Sequence, residues 1–147
     1  FAFDFIHSDR SIFKIVDLDE AWAFLNVAQG ETLSNKLVRA GRAMNAGVYF
    51  VTQSSGDVSK ESLKNNIGLK FAFRSTDTNE IKQTLEFFGL DSEDENNQKR
   101  LRDLENGQCL MQDLYGRVGV VQIHPVFVEL LHAFDTRPPI KSEVDLE

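Results

Sequence analysis

The sequence predicts an α/β layered domain with an antiparallel appendage, and three observations predict it. Short, continuously apolar runs such as "VYFVT" (48–52) read as strands buried between helical layers. Between two such runs, residues 32–46 repeat their apolar side chains at helical spacing. Further on, "QCLMQDLYGRVGVVQI" (108–123) reads as two strands joined near Tyr115-Gly116, a hairpin. Strand, helix, strand, strand, helix, helix, hairpin and helix then follow in an order that suits layered α/β packing.

Taken from the amino end, Phe1 to Ile6 is apolar enough for a strand that stops at the polar "HSDR" turn. Ile12 to Leu18 is a stronger strand, with Ile, Phe, Ile, Val and Leu around single polar residues. After Glu20 the chain turns helical through Phe24 and Leu25. In the next helix Leu33, Leu37, Ala40 and Met44 share one face, and Gly47 stands where a left-handed terminator is wanted. A polar loop, "QSSGDVS", follows the 48–52 strand and leads to a short helix or turn through Leu63. "GLKFAFR" (68–74) alternates Leu69, Phe71 and Phe73 on one face of a third strand. Asp77 caps a helix carrying Glu80, Ile81, Leu85 and Phe88, and Gly89 ends it. Ser92 and Glu95 suggest a capping box for a surface helix that places acids first and bases last, as the helix dipole prefers. Pro125 suits the first turn of a final helix with Val126, Phe127, Leu130, Leu131 and Phe134.

With 147 residues the chain suffices for one domain with a real core. No apolar run approaches the roughly 20 residues that span a bilayer, so direct membrane insertion is not expected. Cys109 has no cysteine partner in the sequence, which leaves a cytoplasmic location as the default. A formal net charge of −7 argues against a surface built for non-specific phosphate contacts. The first residue is Phe and a Pro-Pro break precedes "SEVDLE", so the sequence reads as an excised domain with a tail from Asp135, disordered or vector-derived.

Two adjacent acids, Asp19 and Glu20, end the first good strand. Carboxylates at the carboxyl end of a central strand point into the crevice where open α/β sheets bind ligands. There Asp19 can hold Mg²⁺ through its water shell, and Glu20 can orient and deprotonate an attacking water. The competing reading is that the pair merely caps the next helix. Gln53 ends a second buried strand and can hydrogen-bond both a γ-phosphate and a lytic water, unless it only begins a turn. Arg39 and Arg42 lie three apart, on one helix face, where an arginine can serve a neighbouring subunit's site or remain a surface charge. His7, His124 and His132 have no metal-site spacing. Asp17 reads as strand-edge packing, and Arg74 and Arg117 as surface residues.

Taken in order, "IVDLDEAW", "RAGRAMNAGVYFVTQSS", "GLKFAFRSTDTNEIKQTLEFFGL" and "LENGQCLMQDLYGRVGVVQI" resemble the carboxy-terminal part of the VirB-type conjugative-transfer and type IV secretion ATPases. That family belongs to the HerA–FtsK clade of P-loop ATPases, and the resemblance runs over about residues 12 to 134. It implies a partial RecA-like P-loop NTPase sheet with helices on both faces and a C-terminal hairpin. Within it Asp19 matches the Walker B aspartate, Glu20 the catalytic glutamate and Trp22 the aromatic that commonly follows. Gln53 matches the sensor glutamine, in contact with the nucleotide, and Arg42 the trans-acting arginine, with Arg39 the runner-up.

The family's phosphate loop, Gly-x-x-x-x-Gly-Lys-Ser/Thr, is absent from these residues. "GETLSNKL" (30–37) approaches it, but Asn35 and Leu37 break the pattern and it follows the acidic pair instead of preceding it. The resemblance therefore implies the Walker B to C-terminal-helix portion of a motor, over 1–134, whose parent uses ATP and Mg²⁺. The isolated portion is expected to be inactive and to bind no nucleotide tightly. The parent is expected to form hexamers at the inner face of the membrane with other secretion components, DNA or a relaxase complex, and the isolated portion dimers or larger species. A DNA translocase of the same clade, or a non-catalytic docking module, is the alternative.

Overall fold

The computed structural model describes residues 2–27, 29–58 and 64–133. The expected helix or turn through Leu63 and the tail from Asp135 lie outside them, as do the side chains of Leu33 and Arg42. The elements are α1 (Ala2–Ile6), β1 (Lys14–Leu18), α2 (Ala21–Leu25), α3 (Gly30–Ala43), β2 (Ala46–Phe50), a 3₁₀ turn (Ser55–Val58), β3 (Lys70–Ala72), α4 (Thr78–Phe88), α5 (Glu95–Arg102), β4 (Gln108–Gln112), β5 (Val118–Gln122) and α6 (Val128–Ala133). The architecture is mixed α/β, with a parallel pair and an antiparallel sheet, consistent with a partial P-loop NTPase-like fold.

β1 and β2 pair in parallel from Lys14 opposite Ala46 to Leu18 opposite Phe50, with α2 and α3 in the crossover. β3, β4 and β5 form the separate antiparallel sheet, so the third strand joins the hairpin instead of β1 and β2. One core joins the two parts. Ala21 and Leu25 of α2 pack in it with Val58, Ile81, Leu85, Phe88, Leu101 and Leu110. Buried apolar area of this kind is worth about 25 cal/mol per Å².

Several local expectations are corrected. Phe1 to Ile6 is not a strand: residues 2–6 are helical, and Ile6 is fully buried. A short apolar run has no period that separates the two states, and here packing decides. The left-handed residue after α3 is Asn45 (φ 54°), two positions before Gly47, which lies within β2. The strand accordingly starts at Ala46 rather than Val48.

Among the described side chains of α3, Gly30, Ser34, Leu37 and Gly41 are buried, whereas Ala40, and Met44 just past the helix, are only half-buried. A Cβ on Gly41 would lie 2.8 Å from the Ala46 carbonyl oxygen, so close approach to the neighbouring strand selects a small residue there. On β3 the Leu69, Phe71 and Phe73 face is the exposed one. Lys70 points inward, its Nζ donating to the Phe87 carbonyl at 2.9 Å and lying 4.6 Å from the Phe87 ring centre.

α4 begins as expected, with Asp77 accepting from the Glu80 backbone N–H at 2.8 Å, and it ends at left-handed Gly89. The Ser92 capping box does not form. Asp94 caps α5, accepting from Asn96 N–H at 2.8 Å, while the Ser92 hydroxyl donates to Glu86. α6 starts at Val128, three residues beyond Pro125.

Candidate functional site

The parallel pairing sets the site's frame. Beyond the last paired residues, Val51 N–H donates to Leu18 O at 3.0 Å and Ala21 N–H to Val51 O at 2.8 Å. These bonds carry the ladder past both strand ends and hold the Asp19-Glu20 turn against the segment leading to Gln53. Both strands run the same way, so their carboxyl ends open on one edge.

At that edge the Gln53 carboxamide donates to Glu20 Oε1 at 2.9 Å. The Trp22 indole N–H donates to Glu20 Oε2 at 2.5 Å, so each carboxylate oxygen has its own donor. Asp19 Oδ1 accepts from the Glu20 backbone N–H at 3.0 Å. Glu20 has a left-handed backbone, φ 51° and ψ 49°, which is uncommon for a residue with a Cβ. Asp19, Glu20, Trp22 and Gln53 are all exposed.

Asp19, Glu20 and Gln53 thus come together, with Trp22 beside them. Arg39 is exposed on α3, and Arg42 lies on the same helix with its side chain outside the described residues. Asp17 is exposed on β1, two residues before Asp19. Arg117 belongs to the β4–β5 turn, paired with Asp113 at 2.6 Å, and Arg74 is exposed beyond β3. The three histidines are exposed, and no group of three or more His, Cys, Asp or Glu that could hold a metal occurs among the described residues. A metal bound at Asp19 would therefore keep most of its ligands as water and phosphate, the usual habit of Mg²⁺.

The reading from sequence missed what holds the Gln53 segment. Thr52 Oγ1 donates to Asp57 Oδ2 at 2.8 Å. Ser54 Oγ donates to Glu80 Oε2 at 2.8 Å, and Ser55 N–H and Oγ to Glu80 Oε1 at 2.7 and 2.9 Å. Glu80 was legible only as part of a helix start. The "QSSGD" run of small donors was the sole hint that a carboxylate would meet it.

Among the described residues no helix is long and apolar enough to cross a membrane. The chain is 34% identical over 119 residues to the uncharacterized protein YddE of Bacillus subtilis (strain 168). That stretch is 81% of this chain and 14% of YddE, so the chain spans about a seventh of that relative's length. The model of the AAA-like domain, a P-loop NTPase-type family, matches residues 1–134, and the chain belongs to that family.

Proposed function

We propose that this chain is the Walker B to C-terminal portion of an ATP-hydrolysing motor that powers conjugative DNA transfer or type IV secretion. The observation that carries the reading is the Glu20–Gln53 hydrogen bond at the shared carboxyl edge of two parallel strands. A general base and a phosphate-sensing amide need that adjacency, because both must reach one water and one γ-phosphate. When bound, ATP would supply the γ-phosphoryl group that passes to water with ADP as leaving group, and Mg²⁺ would neutralise the negative charge on the phosphate oxygens. Asp19 would hold the metal's water shell, Glu20 would orient and deprotonate the attacking water, and Gln53 would position it. Arg42 would act across a subunit boundary. The phosphate loop would come from another part of the full-length protein.

A DNA translocase of the same clade is the second reading, and the net charge of −7 weighs against it because non-specific phosphate contacts need Lys and Arg in excess. The test is Glu20→Gln in the full-length protein. ATP turnover should fall by about 10²–10⁴-fold while nucleotide binding is kept. Wild-type turnover in that variant would overturn the reading.

A further inference from the structure

We propose that Glu80 is a positioning residue: it clamps the loop that carries Gln53 and so sets the aim of Gln53 at Glu20. The proposal rests on the motor reading for its effect on turnover, and on geometry alone for the clamp. Glu80 is the third residue of α4. A glutamate there ordinarily folds back to the backbone N–H of the capping residue. Here that N–H, on Asp77, donates to Ser75 Oγ at 3.3 Å, and the Glu80 carboxylate turns outward to the loop instead.

Its two oxygens take the Ser54 hydroxyl, the Ser55 amide and the Ser55 hydroxyl, all within 2.9 Å. Thr84, one turn along α4 and buried, adds its hydroxyl to Ser55 Oγ at 3.2 Å. Thr52, on the other side of Gln53, is held by Asp57 at 2.8 Å. Both neighbours of Gln53 are therefore fixed, whereas Gln53 itself is exposed and has only Glu20 to hold it among the described residues. Hydrogen bonds to a charged acceptor are about twice as strong as neutral ones, so one half-buried carboxylate suffices to order the segment. α4 also packs in the core with Leu101 and Leu110, so movement of the helical and antiparallel part would be felt at Gln53 through Glu80.

The experiment uses the full-length protein with Glu80→Ala, Glu80→Gln and Ser54→Ala/Ser55→Ala, beside Glu20→Gln. Amide hydrogen exchange over residues 52–58 should quicken about tenfold in Glu80→Ala, with residues 84–88 unchanged. The same variant should lose roughly tenfold in kcat with little change in KM. Glu80→Gln, which keeps an acceptor oxygen, should recover part of both. If Glu80→Ala fails to fold, the serine double variant removes the two hydroxyl bonds from the other side, leaves the Ser55 backbone bond, and should show the same two effects in smaller measure. Unchanged exchange over 52–58, or faster exchange spread equally through 84–88, would overturn the clamp. Wild-type turnover in Glu20→Gln would instead overturn the motor reading and leave the exchange result to decide the clamp.

Discussion

Gln53 reaches Glu20 across 33 residues of chain and bonds it at 2.9 Å, while Glu20 keeps a left-handed backbone at φ 51°. The two facts belong together. The turn that places the carboxylate at the carboxyl edge of the parallel pair holds Glu20 in a conformation that costs an L-residue about 1–2 kcal/mol. Strain of this kind persists where the surrounding structure over-determines it, here through the bonds from Val51 to Leu18 and from Ala21 to Val51.

The first prediction follows from that strain. Glu20→Gly should stabilise the chain by about 0.5–1 kcal/mol, since glycine adopts the left-handed region freely and the lost side-chain bonds are exposed. In thermal unfolding this is a rise of roughly 1–4 °C for a domain near this size. A fall in Tm would show that the Trp22 and Gln53 bonds outweigh the backbone strain.

The acidic pair and the glutamine were legible because their signal is local: an apolar run that ends in a polar side chain marks a strand end whatever surrounds it. Which face of an element is buried is not local. α3 buries Gly30, Ser34 and Gly41 because it lies close against its neighbours, and small residues carry no hydrophobic signal. β3 shows Phe71 and Phe73 to solvent because its inward place is held by Lys70, whose ammonium found a carbonyl and a ring. The Glu80 clamp needed the register of β1 and β2 and the packing of α4 before it could be seen. No spacing rule links residues 54 and 80.

Asp113 makes the β4–β5 turn acid-sensitive. Desolvation pushes its carboxyl pKa up, but bonds from the Arg117 guanidinium and from the Arg117 and Tyr115 backbone outweigh it, leaving the pKa below 3.8. A carboxylate with a depressed folded-state pKa contributes stability that is fully present above its unfolded value and lost as pH falls through the folded one. Stability should therefore drop as pH falls below about 4. Asp113→Asn should flatten that part of the profile in denaturant titrations at stepped pH. An unchanged slope would count against the turn's contribution.

Cys109 should be inert to alkylation in the native chain. It is fully buried in β4, and burial raises its thiol pKa above 9.0, so little thiolate forms and none meets reagent. Iodoacetamide at pH 8 should label it only in denaturant. A raised folded-state pKa contributes stability that is present below the unfolded value and lost as pH rises through the folded one, so the native chain should weaken in strong alkali. Fast native labelling would mean that the β4 core opens readily.

Self-association is the last prediction, and the parallel pair carries it. β1 and β2 form a sheet of two strands, so each has an edge without a strand partner among the described residues. One face of that pair shows Phe13, Ile15, Tyr49 and Val51, each at least half exposed. Parallel strands are ordinarily covered on both faces, and open edges beside apolar surface recruit further chains. Light scattering should find dimers or larger species whose share rises with concentration. Ile15→Lys with Tyr49→Lys should shift the distribution toward monomer without unfolding the chain, because both side chains already face solvent. A monomer at all concentrations, before any substitution, would show that this face and these edges are not sticky enough to matter.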